Sequence, residues 1–173
     1  MLCLLIILKS LIVEKMGLVW LIDVGYVTKA SKGRGKVDYI ATKTFLETKF
    51  KSPCLPIIFN SVDSYGVDFG LNQFYYTMKK AGFIINLYQM EGGYQKQVDV
   101  AIGSHLVYYA IKGYNIVLSS GDIDFVPALL MARKDDDKIN VTLLTFNFGV
   151  HEELSKLSTE HLFFEDYPKI IKN

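Results

Sequence analysis

The sequence predicts an α/β fold, a three-layer α/β/α sandwich built on a mainly parallel sheet of five to six strands. Short runs of apolar residues recur along the chain, and segments with a helical repeat of apolar side chains lie between them. Half of the 173 residues are apolar, which is enough to bury a core. A chain of this length corresponds to one domain.

Five apolar runs predict buried strands, because a strand covered on both faces does not need to alternate with polar residues. A further edge strand is predicted at 162–166. The five runs are 18–22, 55–59, 83–88, 115–119 and 139–146. If these strands lie in the order 3-2-1-4-5, right-handed crossovers place helices on both faces of the sheet.

Helical stripes of apolar residues fill the intervals between the strands. After the fourth strand, Asp124 is expected to cap a helix whose first turn accommodates Pro127, and a last helix is expected near His151. The four stripes are Val37, Ile40, Ala41, Thr44, Phe45 and Thr48; Leu71, Phe74, Tyr75, Met78 and Ala81; Val98, Ala101, Ile102, Leu106 and Tyr109; and Phe125, Ala128, Leu129 and Ala132.

Composition narrows the functional classes. With 19 basic and 18 acidic residues the formal charge is +1, so binding of a polyanion must depend on local clusters of charge. Cys3 and Cys54 lie too far apart for a disulfide framework or a cysteine zinc site, and a reducing, cytoplasmic compartment is expected. The nucleotide-binding patterns G-x-x-x-x-G-K-[ST] and G-x-G-x-x-G do not occur.

The amino-terminal residues differ in character from the rest. Residues 1–13 are apolar, but Lys9 interrupts them and they are shorter than the ~20 residues that span a bilayer. We therefore expect no membrane anchor, an appended extension over residues 1–15, and the folded domain over residues 16–173.

Four aspartates are placed by this topology at the sheet edge where the strands lead into helices: Asp23, Asp99, Asp122 and Asp124. Carboxylates gathered in one crevice repel one another, and hard divalent cations such as Mg²⁺ or Mn²⁺ would relieve that repulsion. Helix capping is the competing interpretation for Asp99 and Asp124. The run 135–137 is expected on the opposite edge, as solvated surface.

Four segments carry a resemblance to a known family. WLIDVGY at 20–26, KQVDVAIGSHL at 96–106, VLSSGDIDFVPAL at 117–129 and the closing ELSKLSTEHLFFED resemble the ordered motifs of the NYN domains, the LabA-like branch of the PIN-like nucleases. The resemblance implies a PIN-like, Rossmann-like topology and a metal-dependent ribonuclease. The four aspartates would then be both the metal ligands and the catalytic residues.

Two positions depart from the family pattern. Tyr26 stands where many relatives have asparagine, and His105 stands where relatives often have a second acid. The helical phase of His105 favours a half-buried structural role. A catalytically weakened or inactive module that binds RNA or a protein partner is therefore the alternative function.

Substrate contacts are predicted around the same edge, with single-stranded RNA as the expected partner. The segment KASKGRGK carries four basic residues around two glycines and is expected to form a flexible loop that contacts phosphates. His151 is expected near the site, and whether subunits pair as a homodimer stays open. The predicted substrate-binding residues are Lys29, Lys32, Arg34, Lys36, Lys96, Ser120 and Tyr26, with Tyr65 and Tyr94 as further stacking candidates.

Overall fold

A computed structural model describes residues 17–62, 69–89, 96–133 and 139–172. Several sequence predictions lie outside these ranges: the extension over 1–15, the stacking candidates Tyr65 and Tyr94, and the acidic run 135–137. The side chain of Lys96 is also outside the described part, although the backbone of that residue begins a helix.

A six-stranded sheet forms the centre of the fold, and all of its pairings are parallel. Its order is β4-β3-β1-β5-β6-β7, which confirms the expected order of the five apolar runs. The edge strand predicted at 162–166 is present as β7 but begins and ends earlier, because 164–166 form a 3-10 turn. A short antiparallel pair, β2 with β8, lies apart from it. The strands are β1 Leu18–Asp23, β2 Lys36–Val37, β3 Cys54–Val62, β4 Ile84–Gln89, β5 Asn115–Ser119, β6 Val141–Thr145, β7 Glu160–Phe163 and β8 Ile171–Lys172.

Helices connect the strands and cover both faces of the sheet, so the predicted three-layer α/β/α sandwich is confirmed. The helices are α1 Val24–Ala30, α2 Tyr39–Phe50, α3 Phe69–Lys80, α4 Lys96–Ile111, α5 Val126–Arg133 and α6 Glu152–Leu157. Short 3-10 turns at Ile123–Phe125, Phe164–Asp166 and Pro168–Ile170 complete the described chain.

Two apolar clusters form the core, one on each face of the sheet. Alternate residues of β1 enter different clusters, because successive side chains of a strand point to opposite faces. Trp20 and Ile22 pack with residues of α1, α2 and α3. Val19 and Leu21 pack with residues of α4, α5 and α6. Burial of β1 on both faces explains why its sequence is a continuous apolar run.

The predicted helical face is right for α4 and only partly right for α2. Val98, Ile102 and Leu106 are buried in α4, as predicted. Of the stripe predicted for α2, Val37, Ala41 and Phe45 pack against the core. Ile40, Thr44 and Thr48 are exposed, and the fully buried residues of α2 are Thr42 and Leu46. Thr42 is buried without penalty because its hydroxyl donates to the Asp38 carbonyl at 2.7 Å.

A bilayer-crossing helix is not found in the described ranges, since none of the helices there combines sufficient length with sufficient apolarity.

Candidate functional site

An open cleft of about 830 Å³ lies where β1 and β5 end. These neighbouring strands lie at the point where the strand order reverses, which is the usual ligand crevice of an open parallel sheet. A second groove of about 790 Å³, between α4 and α5, adjoins it and shares Asp99. The first cleft is lined by Asp23, Gly25, Tyr26, Lys29, Ala30, Asp99, Ser120, Gly121, Asp122, Ile123, Phe148, Gly149, Val150 and His151.

Asp23 is the last residue of β1 and is held on both carboxylate oxygens. Oδ1 accepts the backbone N–H of Tyr26 at 3.0 Å, which caps α1, and Oδ2 accepts the Ser120 hydroxyl at 2.9 Å. Only 8% of the residue is exposed, and burial raises the pKa of its carboxyl despite these hydrogen bonds. Asp23 is therefore a fixed, buried wall of the cleft.

The serines after β5 position neighbouring groups. Ser119 is buried, and its hydroxyl accepts the indole N–H of Trp20 at 2.9 Å. The buried hydroxyl of Ser120 donates to Asp23. Ser120 also lines the cleft, so a substrate contact through this residue stays a prediction, with the hydroxyl already bonded to Asp23.

The capping role predicted for Asp124 is taken by Asp122. Asp122 is the cap of the 3-10 turn that follows β5, and its Oδ1 accepts the backbone N–H of Asp124 at 3.0 Å. Asp124 lies inside that turn and does not cap α5. Both residues are exposed. Asp122 faces the first cleft, and Asp124 lines the adjoining groove.

Asp99 lies in the first turn of α4 and borders both cavities. Partial burial raises the pKa of its carboxyl to about 6, and the negative charges of Asp23, Asp122 and Asp124 add to the effect. Within the described chain, the Asp99 carboxylate accepts no hydrogen bond. The fold thus gathers four acids from three separate segments near one another.

Among the side chains that the structure describes, the four aspartates form no salt bridge. The salt bridges of the described residues involve other carboxylates, so none of the four aspartates lies within 4.0 Å of a basic side-chain nitrogen there. The described residues also contain no group of three or more His, Cys, Asp or Glu side chains close enough to hold a metal ion. Carboxylate oxygens are the donors that Mg²⁺ and Mn²⁺ prefer, but these four side chains do not form a ready coordination shell.

The predicted basic residues are distributed unequally around the cleft. Lys29 belongs to α1 and lines the cleft, so the basic segment is not a continuous flexible loop. Lys32, Arg34 and Lys36 are exposed beyond the end of α1 and do not line it. Arg34 Nη1 donates to the carbonyls of Ala30 and Lys32 at 3.2 and 3.3 Å.

Tyr26 lines the cleft and is hydrogen-bonded to the 146–150 loop that follows β6. Its hydroxyl donates to the Phe148 carbonyl at 3.1 Å, with a longer contact of 3.5 Å to the Phe146 carbonyl. Burial raises the pKa of the phenol to about 12, so the hydroxyl stays a donor at neutral pH. The position that departs from the family pattern therefore has a clear structural role here.

Two histidines take structural positions. The Nδ1 atom of His105 lies 2.8 Å from the Ala101 carbonyl, and its ring packs edge-on against Phe59, which confirms a half-buried structural residue. His151 caps α6, because its Nδ1 accepts the backbone N–H of Glu153 at 3.3 Å. It also lines the cleft, whereas Glu152 and Glu153 do not.

Phe148 is a cleft residue that the sequence analysis missed. It lies in the 146–150 loop and is 55% exposed. The Arg34 guanidinium lies over its ring, 4.6 Å from the ring centre. An available signal was the aromatic residue at the carboxyl end of a predicted parallel strand, followed by glycine. Loops at that edge commonly contribute binding residues.

Comparison with known proteins establishes the fold and leaves the chemistry open. No protein-family model matches the sequence, and no curated protein matches it. A crystal structure of a protein of unknown function from Vibrio parahaemolyticus is similar, with a TM-score of 0.75 at 18% identity. The similarity covers 92% of this chain and 98% of that chain. This chain and the Vibrio protein therefore share a fold.

Proposed function

We propose that this protein is a metal-dependent ribonuclease that hydrolyses phosphodiester bonds in the cleft at the ends of β1 and β5. The observation that supports the proposal most strongly is the set of four carboxylates, brought from three parts of the chain to one edge of the sheet, none of which forms a salt bridge with a side chain that the structure describes. Such a concentration of negative charge is costly unless a cation offsets it.

Asp23, Asp99, Asp122 and Asp124 would hold Mg²⁺ or Mn²⁺. Bound there, the cation would supply Lewis-acid polarisation of the phosphate and offset its charge. Hydrogen bonds from Tyr26 and Ser120 fix the orientation of the Asp23 carboxylate, so this ligand would already be in position. Asp99 and the free oxygen of Asp122 have no competing hydrogen bond within the described chain, so their carboxylates are available as ligands.

The reaction is a hydrolysis that uses no protein nucleophile. Water forms a bond to phosphorus, the bond from phosphorus to the 3′ oxygen breaks, and a proton passes to that oxygen. The products are a 5′-phosphate and a 3′-hydroxyl. Lys29 lines the same cleft and provides a cation for a neighbouring backbone phosphate.

The test is an RNA cleavage assay with Mn²⁺ or Mg²⁺. We expect Asp99→Asn and Asp122→Asn to lower the cleavage rate by at least about 100-fold, because each removes a carboxylate that would hold the cation. The matched control is Asp166→Asn, since Asp166 is exposed and lies outside the cleft. Analysis of the product ends checks which bond is broken.

Cleavage that persists in EDTA, or in both cleft variants, would contradict the proposal. An inactive module that binds RNA or a protein is the second candidate, and the absence of a preassembled three-ligand group among the described side chains favours it. That candidate predicts salt-sensitive RNA binding, or binding to a protein, without cleavage.

A further inference from the structure

We propose that Phe148, with Arg34 against its ring, is a stacking platform for an unpaired nucleobase of the nucleic acid bound in the cleft. This inference rests on the proposed function and specifies its substrate as single-stranded. Phe148 is 55% exposed at the wall of a cleft bordered by Asp23, Asp99 and Asp122. Apolar surface left in water is unfavourable, and a flat ring partner would cover it.

The backbone beside Phe148 is held by two neighbouring side chains. Tyr26 donates to the Phe148 carbonyl at 3.1 Å. The preceding N–H, that of Asn147, donates to both carboxylate oxygens of Glu165 at 3.0 and 3.2 Å. Because the loop is already ordered, less conformational entropy is lost when a nucleobase binds to Phe148.

Arg34 supplies the complementary charge. Its guanidinium lies 4.6 Å from the centre of the Phe148 ring, while its Nε is 3.9 Å from a Glu165 oxygen. The ring and the cation together suit a nucleotide, because the base has a flat aromatic face and the phosphate is anionic. In a duplex the base faces are covered by neighbouring bases, so the platform favours single strands.

The experiment measures binding of a short, end-labelled single-stranded RNA by fluorescence anisotropy. Asp122→Asn is the parent chain, so that cleavage does not interfere, and Phe148→Ala is added to it. We expect the added change to weaken binding about tenfold, the effect of removing one base–aromatic stack. Phe148→Trp is expected to retain tight binding, and it stays informative should the alanine variant unfold.

A close control exists on α3. Tyr76 is 54% exposed and has the Lys80 ammonium 4.5 Å from its ring centre, but it does not line the cleft. Tyr76→Ala is expected to change binding less than twofold. RNA whose bases are removed, and duplex RNA, should bind the parent and Phe148→Ala chains equally.

Several results would overturn the platform. Unchanged affinity of Phe148→Ala, an equal loss on the abasic strand, or no binding of single-stranded RNA by the parent would each do so. Failure of the proposed function is a separate result: absence of cleavage by the unsubstituted chain, together with Phe148-dependent binding, would remove the nuclease and leave the platform.

Discussion

Asp23 and Asp99 face the same cleft but are held in different ways. The Asp23 carboxylate accepts hydrogen bonds on both oxygens, from Tyr26 and Ser120. The Asp99 carboxylate has no such support in the described chain, and its pKa is raised to about 6. Asp23 therefore has a structural role of its own, whereas the charge on Asp99 is destabilised by burial and by the neighbouring aspartates. A bound cation or a proton would relieve that cost.

Replacing Asp99 should stabilise the protein above pH 6. The ordinary pKa of 3.8 rises to about 6 on folding, so the folded state binds more protons between these values and loses stability as the pH rises. Asp99→Asn should raise the unfolding temperature at pH 7.5 by about 2–4 °C, after allowance for solvent screening. Differential scanning calorimetry measures this in metal-free buffer.

The gain should shrink as the pH falls from 6 and vanish near pH 4, where Asp99 is protonated in both folded and unfolded chains. Asp166→Asn, which changes an exposed acid outside the cleft, should show no such dependence. A lower unfolding temperature for Asp99→Asn at pH 7.5 would mean that the repulsion inferred here is absent.

Individual contacts could be predicted only in part from the sequence. The acids at the strand ends were found because parallel strands deliver their carboxyl ends to one edge. The hydroxyl partners were not found, because the bond from Ser120 to Asp23 joins residues 97 positions apart. The bond from Tyr26 to the Phe148 carbonyl spans 122 positions, and no local pattern marks it.

The loops after β5 and β6 close against one another to form one wall of the cleft. The Gly121 carbonyl accepts the His151 N–H at 2.9 Å. A Cβ on Gly121 would collide with the Gly149 carbonyl and would lie 2.8 Å from both the Tyr26 ring and the Val150 Cα. The close approach of these two loops therefore requires glycine at position 121.

Gly121→Ala should destabilise the protein by about 1–3 kcal/mol, because the added methyl forces the two loops apart. Gly103→Ala on α4 is the matched control. Its new Cβ would be 3.6 Å from the Ala128 Cβ, an ordinary contact, and alanine favours the helix. Urea unfolding gives both free energies, and equal stability of the two variants would show that the loops are not in tight contact.

Strands and helices were predicted best where apolar side chains alone decide burial. The prediction was less accurate where a polar side chain is buried. The strand order and the buried face of α4 follow from continuous or periodic apolar residues. The face of α2 was predicted only in part, because Thr42 is buried with its hydroxyl bonded to the Asp38 carbonyl. A pattern of apolar residues cannot reveal a buried polar side chain whose hydrogen bond is made within its own helix.

The architecture links these observations. A parallel sheet covered on both faces leaves its carboxyl edge as the place where loops from distant segments meet, and the acidic cleft lies there. The sequence could predict that meeting point from strand order. It could not predict that the four carboxylates lie too far apart to form a three-ligand group, since the spacing of side chains depends on tertiary contacts.

Calorimetric titration of the metal-free protein with Mn²⁺ tests the central claim most directly. We expect saturable binding and an unfolding temperature that rises with Mn²⁺ concentration, because a cation bound to the folded state stabilises it. Asp122→Asn and Asp99→Asn should weaken the binding at least about tenfold, and Asp166→Asn should not. Binding that is absent, or identical in all four proteins, would contradict a divalent-cation site in the acidic cleft.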